Sequence, residues 1–341
     1  MKKGKKSDKI YYIRIFWEKT MKIFLTIMSI VIPVALVLVM LTLLTAYICF
    51  YLVFYVSKKE RNRVREEYEI PDGEIYEQYR EDFINWTKRL RATPHDDVET
   101  ISFDGLKLRG KYYEYAPGAP IELMFHGYRG NAERDLSGGV ARCFALGRSA
   151  LIVDQRASGE SEGNVITFGV NESRDCISWL EFMTERFDKD QKIILTGISM
   201  GASTVMMATS YPLPKNVVGI LADCGYTSAK EIIKKVIKDL KLPALLYPFI
   251  KLGAKLYGHF DLEENPPIEA MKKYTLPVFF AHGDADAFVP CSMSEENFRA
   301  CASKLKYLEI TPGAGHGLCF PCNQERYLGA LRDFYDPILK D

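Results

Sequence analysis

The stretch Gly197-Ile198-Ser199-Met200-Gly201 decides the fold of this chain, because it directly follows the apolar run Ile193-Ile194-Leu195. A strand that turns sharply into a helix at a Gly-x-Ser-x-Gly holds the serine in strained backbone geometry. The flanking glycines remove side chains that would clash with the turn. The pattern therefore predicts a nucleophilic Ser199 at a strand end. The alternative is an ordinary glycine-bearing loop between a strand and a helix.

A serine nucleophile needs a general base, since a hydroxyl reacts poorly at neutral pH unless an imidazole takes its proton. For the chain order serine, acid, histidine, only His282 and His316 lie late enough. His316 is preferred because it lies in the glycine-rich loop Pro312–Gly317, after the strand-like run Tyr307–Ile310. The alternative is a surface loop histidine. The chain has five histidines in all: His95, His126, His259, His282 and His316.

The acid that orients this base is expected in the polar loop after the apolar run Val278–Ala281. Asp286 is preferred, because it fits a His-Gly-x-x-Asp-x-x-Val-Pro pattern that begins at His282. Asp284 is more readily explained as a residue that hydrogen-bonds the loop backbone. Asp223, which ends an earlier apolar run, is a third candidate.

Two backbone N–H groups are expected to bind the oxyanion that develops during acyl transfer. One belongs to Met200, the residue after the nucleophile, at the start of a helix whose N-terminus favours negative charge. The other is expected from Tyr128, because the strand-like run before it ends in His126-Gly127, where the glycine permits a sharp turn. His126 itself is interpreted as a structural loop histidine.

The ordered set of these motifs resembles the α/β-hydrolase superfamily. The similarity is to its bacterial serine-hydrolase branch, related to the S33 and S9 peptidases and to acyl-transferase-like and BEM46-like hydrolases, and it covers roughly residues 98–338. The motifs in chain order are His126-Gly127-Tyr128-Arg129-Gly130, Gly197-x-Ser199-x-Gly201, His282-Gly-x-x-Asp286-x-x-Val-Pro290 and Gly315-His316.

The resemblance implies a site made of Ser199 as nucleophile, Asp286 as acid and His316 as base, with the amides of Tyr128 and Met200 as the oxyanion hole. It also covers a loop that begins with Asp154 and Arg156 and contains a second Gly-x-Ser-x-Gly, Gly159–Gly163. That loop is structural in these families. Its Ser161 is a poor nucleophile candidate, because no strand immediately precedes it.

Apolar runs alternate with helix-length segments from residue 98 onward, which predicts a mostly parallel eight-stranded sheet flanked by helices over 98–341. The resemblance implies that this domain has the α/β-hydrolase fold. Strands are expected near 100–103, 108–115, 121–126, 149–154, 192–198, 217–223, 276–281 and 306–311. Helices are expected near 132–146, 172–187, 200–210, 292–303 and 323–336. The irregular stretch 227–275 is interpreted as a small helical lid, with a plain crossover connection as the alternative.

Residues 23–56 contain no charged side chain, and this run exceeds the roughly 20 residues needed to span a bilayer. It predicts one transmembrane helix behind a basic tail, residues 1–22. A cleaved signal peptide is disfavoured, because the run is too long and no small-x-small cleavage site follows. Pro33 is expected to mark a kink or a boundary. Five aromatic residues are expected to form a belt at the second interface: Tyr47, Phe50, Tyr51, Phe54 and Tyr55.

The orientation of this single-pass chain follows from the basic residues beside the span. Residues 1–22 carry eight Lys or Arg, whereas residues 57–76 carry five, Arg63 and Arg65 among them. The positive-inside rule therefore favours a cytoplasmic N-terminus and an extracytoplasmic hydrolase domain. The seven cysteines after the span are the opposing argument, because an odd number at low density is typical of a reduced protein.

Residues 57–97 form a charged juxtamembrane linker, in which Glu74–Leu90 predicts an amphipathic helix. The preferred interpretation is that its apolar face packs on the hydrolase domain, and the alternative is that it lies on the membrane. That face is made of Ile75, Tyr79, Phe83, Trp86 and Leu90.

The sequence predicts no metal and no organic cofactor. Cys319 and Cys322 are interpreted as packing residues beside the base loop, with a local disulfide as the alternative. A zinc site is disfavoured, because no second Cys or His pair at ligand spacing accompanies them. The net charge of +1 argues against a nucleic-acid partner. The expected partners are the lipid bilayer, through residues 23–56, and a small-molecule, acyl or peptide substrate. The sequence leaves the oligomeric state open.

These residues predict a membrane-anchored serine hydrolase that cleaves an ester, thioester or amide through an acyl-enzyme. A serine peptidase or aminopeptidase of the S9 or S33 type is the alternative within enzymes. A catalytically silent membrane-bound binding or scaffold module is the alternative of another class, because a fold does not fix a function.

Overall fold

The computed structural model describes residues 4–61 and 67–340. Residues 1–3 of the predicted basic tail and residues 62–66 of the predicted linker, which include Arg63 and Arg65, lie outside the described residues.

In the described residues, eight strands form one sheet in the order β1-β2-β4-β3-β5-β6-β7-β8. The pairs β1·β2 and β2·β4 are antiparallel, and the other pairs are parallel. The strand bounds confirm the predicted ones within a few residues, except that β1 starts earlier. They are β1 (Asp96–Ile101), β2 (Lys107–Tyr113), β3 (Ile121–Phe125), β4 (Ser149–Val153), β5 (Ile193–Ile198), β6 (Val217–Asp223), β7 (Val278–Gly283) and β8 (Lys306–Thr311).

The helices of this part of the chain include all five predicted in the hydrolase domain. Their bounds are α1 (Gly4–Val53), α2 (Lys58–Arg61), α3 (Glu74–Glu77), α4 (Arg80–Ala92), α5 (Ala132–Ala145), α6 (Val170–Arg186), α7 (Met200–Ala208), α8 (Ala229–Asp239), α9 (Leu246–Leu256), α10 (Pro267–Met271), α11 (Cys291–Ala300), α12 (Cys319–Cys322) and α13 (Gln324–Lys340).

The core lies on both sides of the sheet, because successive side chains of a strand point to opposite faces. On β5, Ile193 and Leu195 pack into the cluster that includes α6 and α7. Ile194, between them, packs into the cluster that includes α13. Burial on both faces explains why these strands are continuously apolar. Their parallel pairing brings their carboxyl ends to one edge of the sheet.

Helix α1 is longer than the predicted span, since it begins at Gly4 within the basic tail. It continues through Pro33, which is therefore not a boundary between two segments. Its stretch Tyr11–Val53 is long and apolar enough to cross a membrane. The mean hydropathy of its most apolar 18 residues is 2.9, and none of these residues is buried. By length and composition alone, a membrane anchor and a signal sequence both fit.

The end of α1 is packed into the hydrolase domain. Phe50 and Phe54 are buried, and the Phe54 ring lies against Phe168 and Phe260. The prediction of an interfacial aromatic belt is therefore wrong for Phe50 and Phe54, because the domain offers them an apolar pocket.

The predicted amphipathic helix is divided into α3 and α4, with a break at residues 78–79. Phe83, Trp86 and Leu90 are buried, and the Trp86 ring stacks on Phe320 at 5.4 Å. This confirms that the apolar face of α4 packs on the domain. Ile75 is partly covered, with 46% of the residue exposed, and its side chain lies close to Gly315 of the domain.

The stretch 227–275 contains three helices, α8, α9 and α10. Helix α9 packs closely on α1: a Cβ placed on Gly253 would lie 2.4 Å from the Ala46 carbonyl oxygen. The phenol of Tyr257, which follows α9, donates a hydrogen bond to the Leu43 carbonyl oxygen at 3.1 Å. The helices predicted as a lid thus contact the apolar N-terminal helix directly.

Candidate active site

Ser199 lies at the turn from β5 into α7, with φ 55° and ψ −116°. A non-glycine residue in this region is strained and persists only where the surrounding structure holds it. The glycines of the pentapeptide allow the turn to close. A Cβ on Gly197 would lie 2.1 Å from the Gly201 carbonyl oxygen, and one on Gly201 would lie 2.0 Å from the Phe125 carbonyl oxygen.

His316 lies in the loop after β8, and its two ring nitrogens join Ser199 to Asp286. The Nε2 atom lies 2.9 Å from Ser199 Oγ, and Nδ1 lies 2.7 Å from Asp286 Oδ2. If Nδ1 carries the proton, Nε2 is free to accept the serine proton. The structure therefore brings the three sequence-predicted groups into one hydrogen-bonded row.

Asp286 is held rigidly in the loop after β7. Its Oδ1 atom accepts hydrogen bonds from the Phe288 and Val289 amides at 2.9 and 2.8 Å. Burial alone would raise the pKa of the Asp286 carboxyl, but hydrogen bonds from His282 and His316 and the charges of these histidines hold the pKa well below its usual value. Asp286 is thus ionised throughout the neutral range.

His282 is a second histidine on the same carboxylate, a contact that the sequence analysis missed. Its Nε2 atom lies 3.1 Å from Asp286 Oδ2 and 2.9 Å from the Val289 carbonyl oxygen. Both partners are acceptors, so Nε2 carries the proton, and Nδ1 accepts a hydrogen bond from Ser294 Oγ at 2.6 Å. The signal in the sequence was the four-residue spacing between His282 and Asp286 across a tight loop.

The other candidate acids have different partners. Asp284 Oδ1 accepts a hydrogen bond from the Gly313 amide at 2.6 Å, which agrees with a role in the loop backbone. Asp223 Oδ2 accepts a hydrogen bond from the Tyr327 hydroxyl at 2.8 Å.

The two predicted oxyanion donors flank the nucleophile. Met200 is the first residue of α7. The Gly127–Tyr128 loop follows β3, and a Cβ placed on Gly127 would lie 3.7 Å from Ser199 Cβ. The Tyr128 hydroxyl donates a hydrogen bond to the Val53 carbonyl oxygen at 2.6 Å.

The remaining motif residues brace the loops around the site. Buried His126 accepts a hydrogen bond from the Gln155 amide at Nε2 (3.0 Å) and donates to the Gly127 carbonyl oxygen from Nδ1 (2.8 Å). Asp154 accepts from the Ala132 and Glu160 amides. Two further contacts belong to the same loop: Arg156 pairs with Asp104 and Asp175, and Ser161 Oγ donates to the Asp154 carbonyl oxygen.

Comparison with known proteins agrees with this geometry. The family model of peptidase S9, the prolyl oligopeptidase family, matches residues 166–341, just over half of the chain, and this range contains Ser199, Asp286 and His316. The chain belongs to the prolyl oligopeptidase family. Its sheet and flanking helices form the α/β-hydrolase fold.

Two curated relatives match parts of this prolyl oligopeptidase family member. The "Uncharacterized protein YqkD" of Bacillus subtilis (strain 168) is 25% identical over 193 residues, which cover 56% of this chain and 63% of that protein. "Thiohydrolase aneE" of Aspergillus aculeatus is 35% identical over 77 residues, covering 23% of this chain and 24% of that protein. The chain thus spans less than two thirds of the length of either relative.

Solved structures show the same fold. The esterase Pf2001 of Pyrococcus furiosus has a TM-score of 0.61 and 22% identity, and the match covers 74% of this chain and 96% of that one. Est1E of Butyrivibrio proteoclasticus, solved with ferulic acid, has a TM-score of 0.56 and 19% identity, covering 72% and 100%. At these identities the likeness concerns the fold.

Ser199 and His316 open into a cleft of about 440 Å³ that is lined mainly by apolar atoms. The segment between α1 and β1 forms one of its walls, through Pro71 to Tyr76 and Phe83, which the sequence analysis did not predict. A Cβ placed on Gly315, next to the base, would lie 3.2 Å from the Ile75 side chain. Its apolar and aromatic lining residues are Pro71, Ile75, Tyr76, Phe83, Tyr128, Ile198 and Phe288.

One group of possible metal ligands in the described residues coincides with this site. Donor atoms of Cys224, Asp286 and His316 lie within 4.8 Å of one another. Burial raises the pKa of the Cys224 thiol well above its usual value, and a protonated thiol is a poor metal ligand. Asp286 and His316 already bond each other, so the arrangement suits proton transfer better than metal binding. All eight cysteines, with Cys319 and Cys322 among them, are free thiols.

Proposed function

We propose that this prolyl oligopeptidase family member is a membrane-anchored serine hydrolase that cleaves carboxylic esters through Ser199, His316 and Asp286. The observation that carries the proposal is the row from Ser199 Oγ to His316 Nε2 (2.9 Å) and from Nδ1 to Asp286 Oδ2 (2.7 Å). A positive φ at Ser199, with glycines that could not be replaced without clashes, supports a strained nucleophile turn.

The reaction follows from these positions. Ser199 Oγ attacks the carbonyl carbon and passes its proton to His316 Nε2, while the carbonyl π electrons move to oxygen. The oxyanion lies between the Tyr128 and Met200 amides. When the tetrahedral intermediate collapses, the leaving alkoxide takes the proton from His316. Water then attacks the acyl-enzyme by the same route, releases the acid and restores Ser199.

Asp286 keeps the imidazole in the tautomer that this cycle needs. The Phe288 and Val289 amides fix its carboxylate, whose low pKa leaves a negative charge beside the imidazolium that forms in each half-reaction. No step needs a metal ion or an organic cofactor.

The apolar cleft favours an acyl group as the part of the substrate that the enzyme binds. Its volume of about 440 Å³ falls within the range typical of small-molecule sites. Peptide amides are the second candidate, because the matched family is the prolyl oligopeptidase family.

A bilayer near the site would suit such acyl substrates. Helix α1 supplies an exposed apolar run of about 34 Å over residues 23–45, enough for the hydrocarbon core. Four leucines in and beside the helices near α1 are also exposed: Leu240, Leu242, Leu245 and Leu256.

We extend the proposal to an anchored protein with its hydrolase domain outside the cytoplasm, because residues 1–22 carry more Lys and Arg than residues 57–76. Protection of the domain from protease in right-side-out vesicles would contradict this orientation.

A panel of substrates tests the chemistry. Full-length protein in detergent is assayed on p-nitrophenyl esters of graded acyl length, on acyl thioesters and on aminoacyl and prolyl amides. We expect ester hydrolysis by the wild type and none by Ser199→Ala. Amide cleavage in place of ester cleavage would favour the peptidase candidate. Equal rates for both proteins across the panel would leave a non-catalytic binding module as the better account.

A further inference from the structure

The end of α1 is joined to the hydrolase domain through its backbone as well as its side chains. The Val56 amide donates to the Asn164 carbonyl oxygen at 2.8 Å, and the Ile166 amide donates to the Phe54 carbonyl oxygen at 2.9 Å. These bonds form a short antiparallel bridge between Tyr55 and Val165. The helix end is therefore a part of the domain rather than a flexible tether.

The last carbonyl groups of a helix have no partner within the helix and must be satisfied elsewhere. Here the loop that carries the Tyr128 amide satisfies them. The Tyr128 hydroxyl donates to the Val53 carbonyl oxygen at 2.6 Å. Arg129 Nη2 donates to the Leu52 and Tyr55 carbonyl oxygens, both at 3.1 Å. A cation at a helix C-terminus is also favoured by the helix dipole.

The same two side chains contact each other, which closes the network. Arg129 Nε donates to the Tyr128 hydroxyl at 2.9 Å, and Arg129 Nη1 pairs with Glu60 at 3.1 Å. Arg129 has a φ of 53°, a conformation that the surrounding contacts must maintain. The backbone that presents the Tyr128 amide is thus held from outside the loop, by the end of the apolar N-terminal helix.

We infer that Tyr128 and Arg129 are positioning residues that use the C-terminal end of α1 as a support for the oxyanion loop. This inference rests on the proposed function. The Tyr128 amide can bind the oxyanion only where the loop holds it. That position depends on hydrogen bonds to the carbonyl oxygens of Val53, Leu52 and Tyr55. The helix that would anchor the protein is on this account a structural part of the catalytic site.

The expected size of the effect follows from the value of an oxyanion donor. Removal of one donor costs about 10²–10³-fold in kcat. Tyr128→Phe leaves the amide in place and removes the two bonds of the hydroxyl, to the Val53 carbonyl oxygen and from Arg129 Nε, so a partial loss of about tenfold in kcat is expected. KM should change less than about twofold, because the bond affects the transition state more than the bound ester.

The chain offers a matched control. Tyr257 also donates a phenol hydrogen bond to a carbonyl oxygen of α1, that of Leu43 at 3.1 Å, but it lies beside α9 and not on the oxyanion loop. Tyr257→Phe therefore removes an equivalent bond to the same helix. It should keep wild-type kcat and KM.

The experiment compares full-length wild type, Tyr128→Phe, Arg129→Lys and Tyr257→Phe in detergent, with active sites counted by a fluorophosphonate. We expect kcat per active site to fall about tenfold in the first two variants only, and the inhibition constant of an alkyl boronic acid to rise in parallel, because its tetrahedral adduct uses the oxyanion hole. Lysine lacks the planar guanidinium group with which Arg129 donates to two carbonyl oxygens, so Arg129→Lys should not keep the wild-type rate.

Three outcomes separate the inference from the proposed function. If the wild type hydrolyses esters and Tyr128→Phe matches Tyr257→Phe in kcat and in boronic acid affinity, the inference is overturned while the proposed function stands. If the wild type is not labelled at Ser199, the proposed function fails first. A fall in the unfolding temperature of Tyr128→Phe with unchanged kcat per active site would also overturn the inference, since it indicates a role in stability alone.

Discussion

Replacement of Asp286 by asparagine should abolish most of the activity for a reason that the structure makes specific. Asparagine has the shape of aspartate but has one oxygen and one NH2 group. The Phe288 and Val289 amides both donate to Oδ1, so the remaining oxygen must occupy that position. The NH2 group then faces His316 Nδ1, where Oδ2 stands in the wild type at 2.7 Å.

This orientation forces His316 into the wrong tautomer. With an NH2 donor in front of it, Nδ1 must accept, and the ring proton moves to Nε2. That nitrogen, 2.9 Å from Ser199 Oγ, can no longer take the serine proton. The equivalent change in a Ser-His-Asp triad lowers kcat about 10⁴-fold, which corresponds to about 5.5 kcal/mol in the activation free energy.

The assay is kcat for a p-nitrophenyl ester, with fluorophosphonate labelling rates as a measure that does not depend on the substrate. Asp284→Asn is the matched control, because Asp284 lies in the same loop and bonds only a backbone amide among its described contacts. It should stay within about threefold of wild type, as expected for an exposed group outside the reacting row. A loss below tenfold in Asp286→Asn, or an equal loss in Asp284→Asn, would refute the reasoning.

Three further predictions concern the fold. Burial would raise the pKa of Glu122, but the charges of Arg142 and Arg148 lower it from 4.5 to about 2. Glu122→Gln should therefore cost about 3 kcal/mol at pH 7, and the difference in unfolding temperature from wild type should shrink as the pH falls from about 4.5 toward 2. Trp86→Ala should cost about 3–5 kcal/mol of stability, measured by thermal unfolding in detergent; no change would show that α4 is not docked. Leu38→Arg, in the exposed part of α1, should cost about 2.5–3.5 kcal/mol of membrane insertion, seen as a lower fraction resistant to carbonate extraction.

The sheet and the reacting row could be predicted because their signals are local. The central parallel strands, β3 to β7, are buried on both faces, so their apolar runs have clear ends, and the loops after β5 and β7 carry Ser199 and Asp286. The edge strand β8 is partly exposed, and there the glycine-rich loop with His316 gave the signal. The role of His282 was missed, because the sequence shows that His282 and Asp286 are four residues apart but not that the loop between them brings the ring onto the carboxylate. The ion pairs of Glu122 could not be predicted either, because the sequence shows a single acid in an apolar strand and only the fold brings Arg142 and Arg148 to it.

The errors lie where distant segments meet. Phe50 and Phe54 are apolar whether lipid or protein covers them, so composition alone assigned them to the membrane interface, whereas the domain buries them. Ile75 follows the helical spacing of Phe83, but after the break at residues 78–79 it lines the cleft beside Gly315 and is not buried with Phe83. Such contacts depend on tertiary packing, which no local pattern contains.

The central claim is that Ser199 is the nucleophile, and the site of fluorophosphonate labelling tests it most directly. Full-length wild type, Ser199→Ala and Ser161→Ala are labelled and the modified peptide is identified by mass spectrometry. Ser161 is the control because it lies in a second Gly-x-Ser-x-Gly, where its buried hydroxyl bonds the Asp154 carbonyl oxygen. We predict labelling at Ser199 in wild type and in Ser161→Ala, and none in Ser199→Ala. Equal labelling of wild type and Ser199→Ala would contradict the claim.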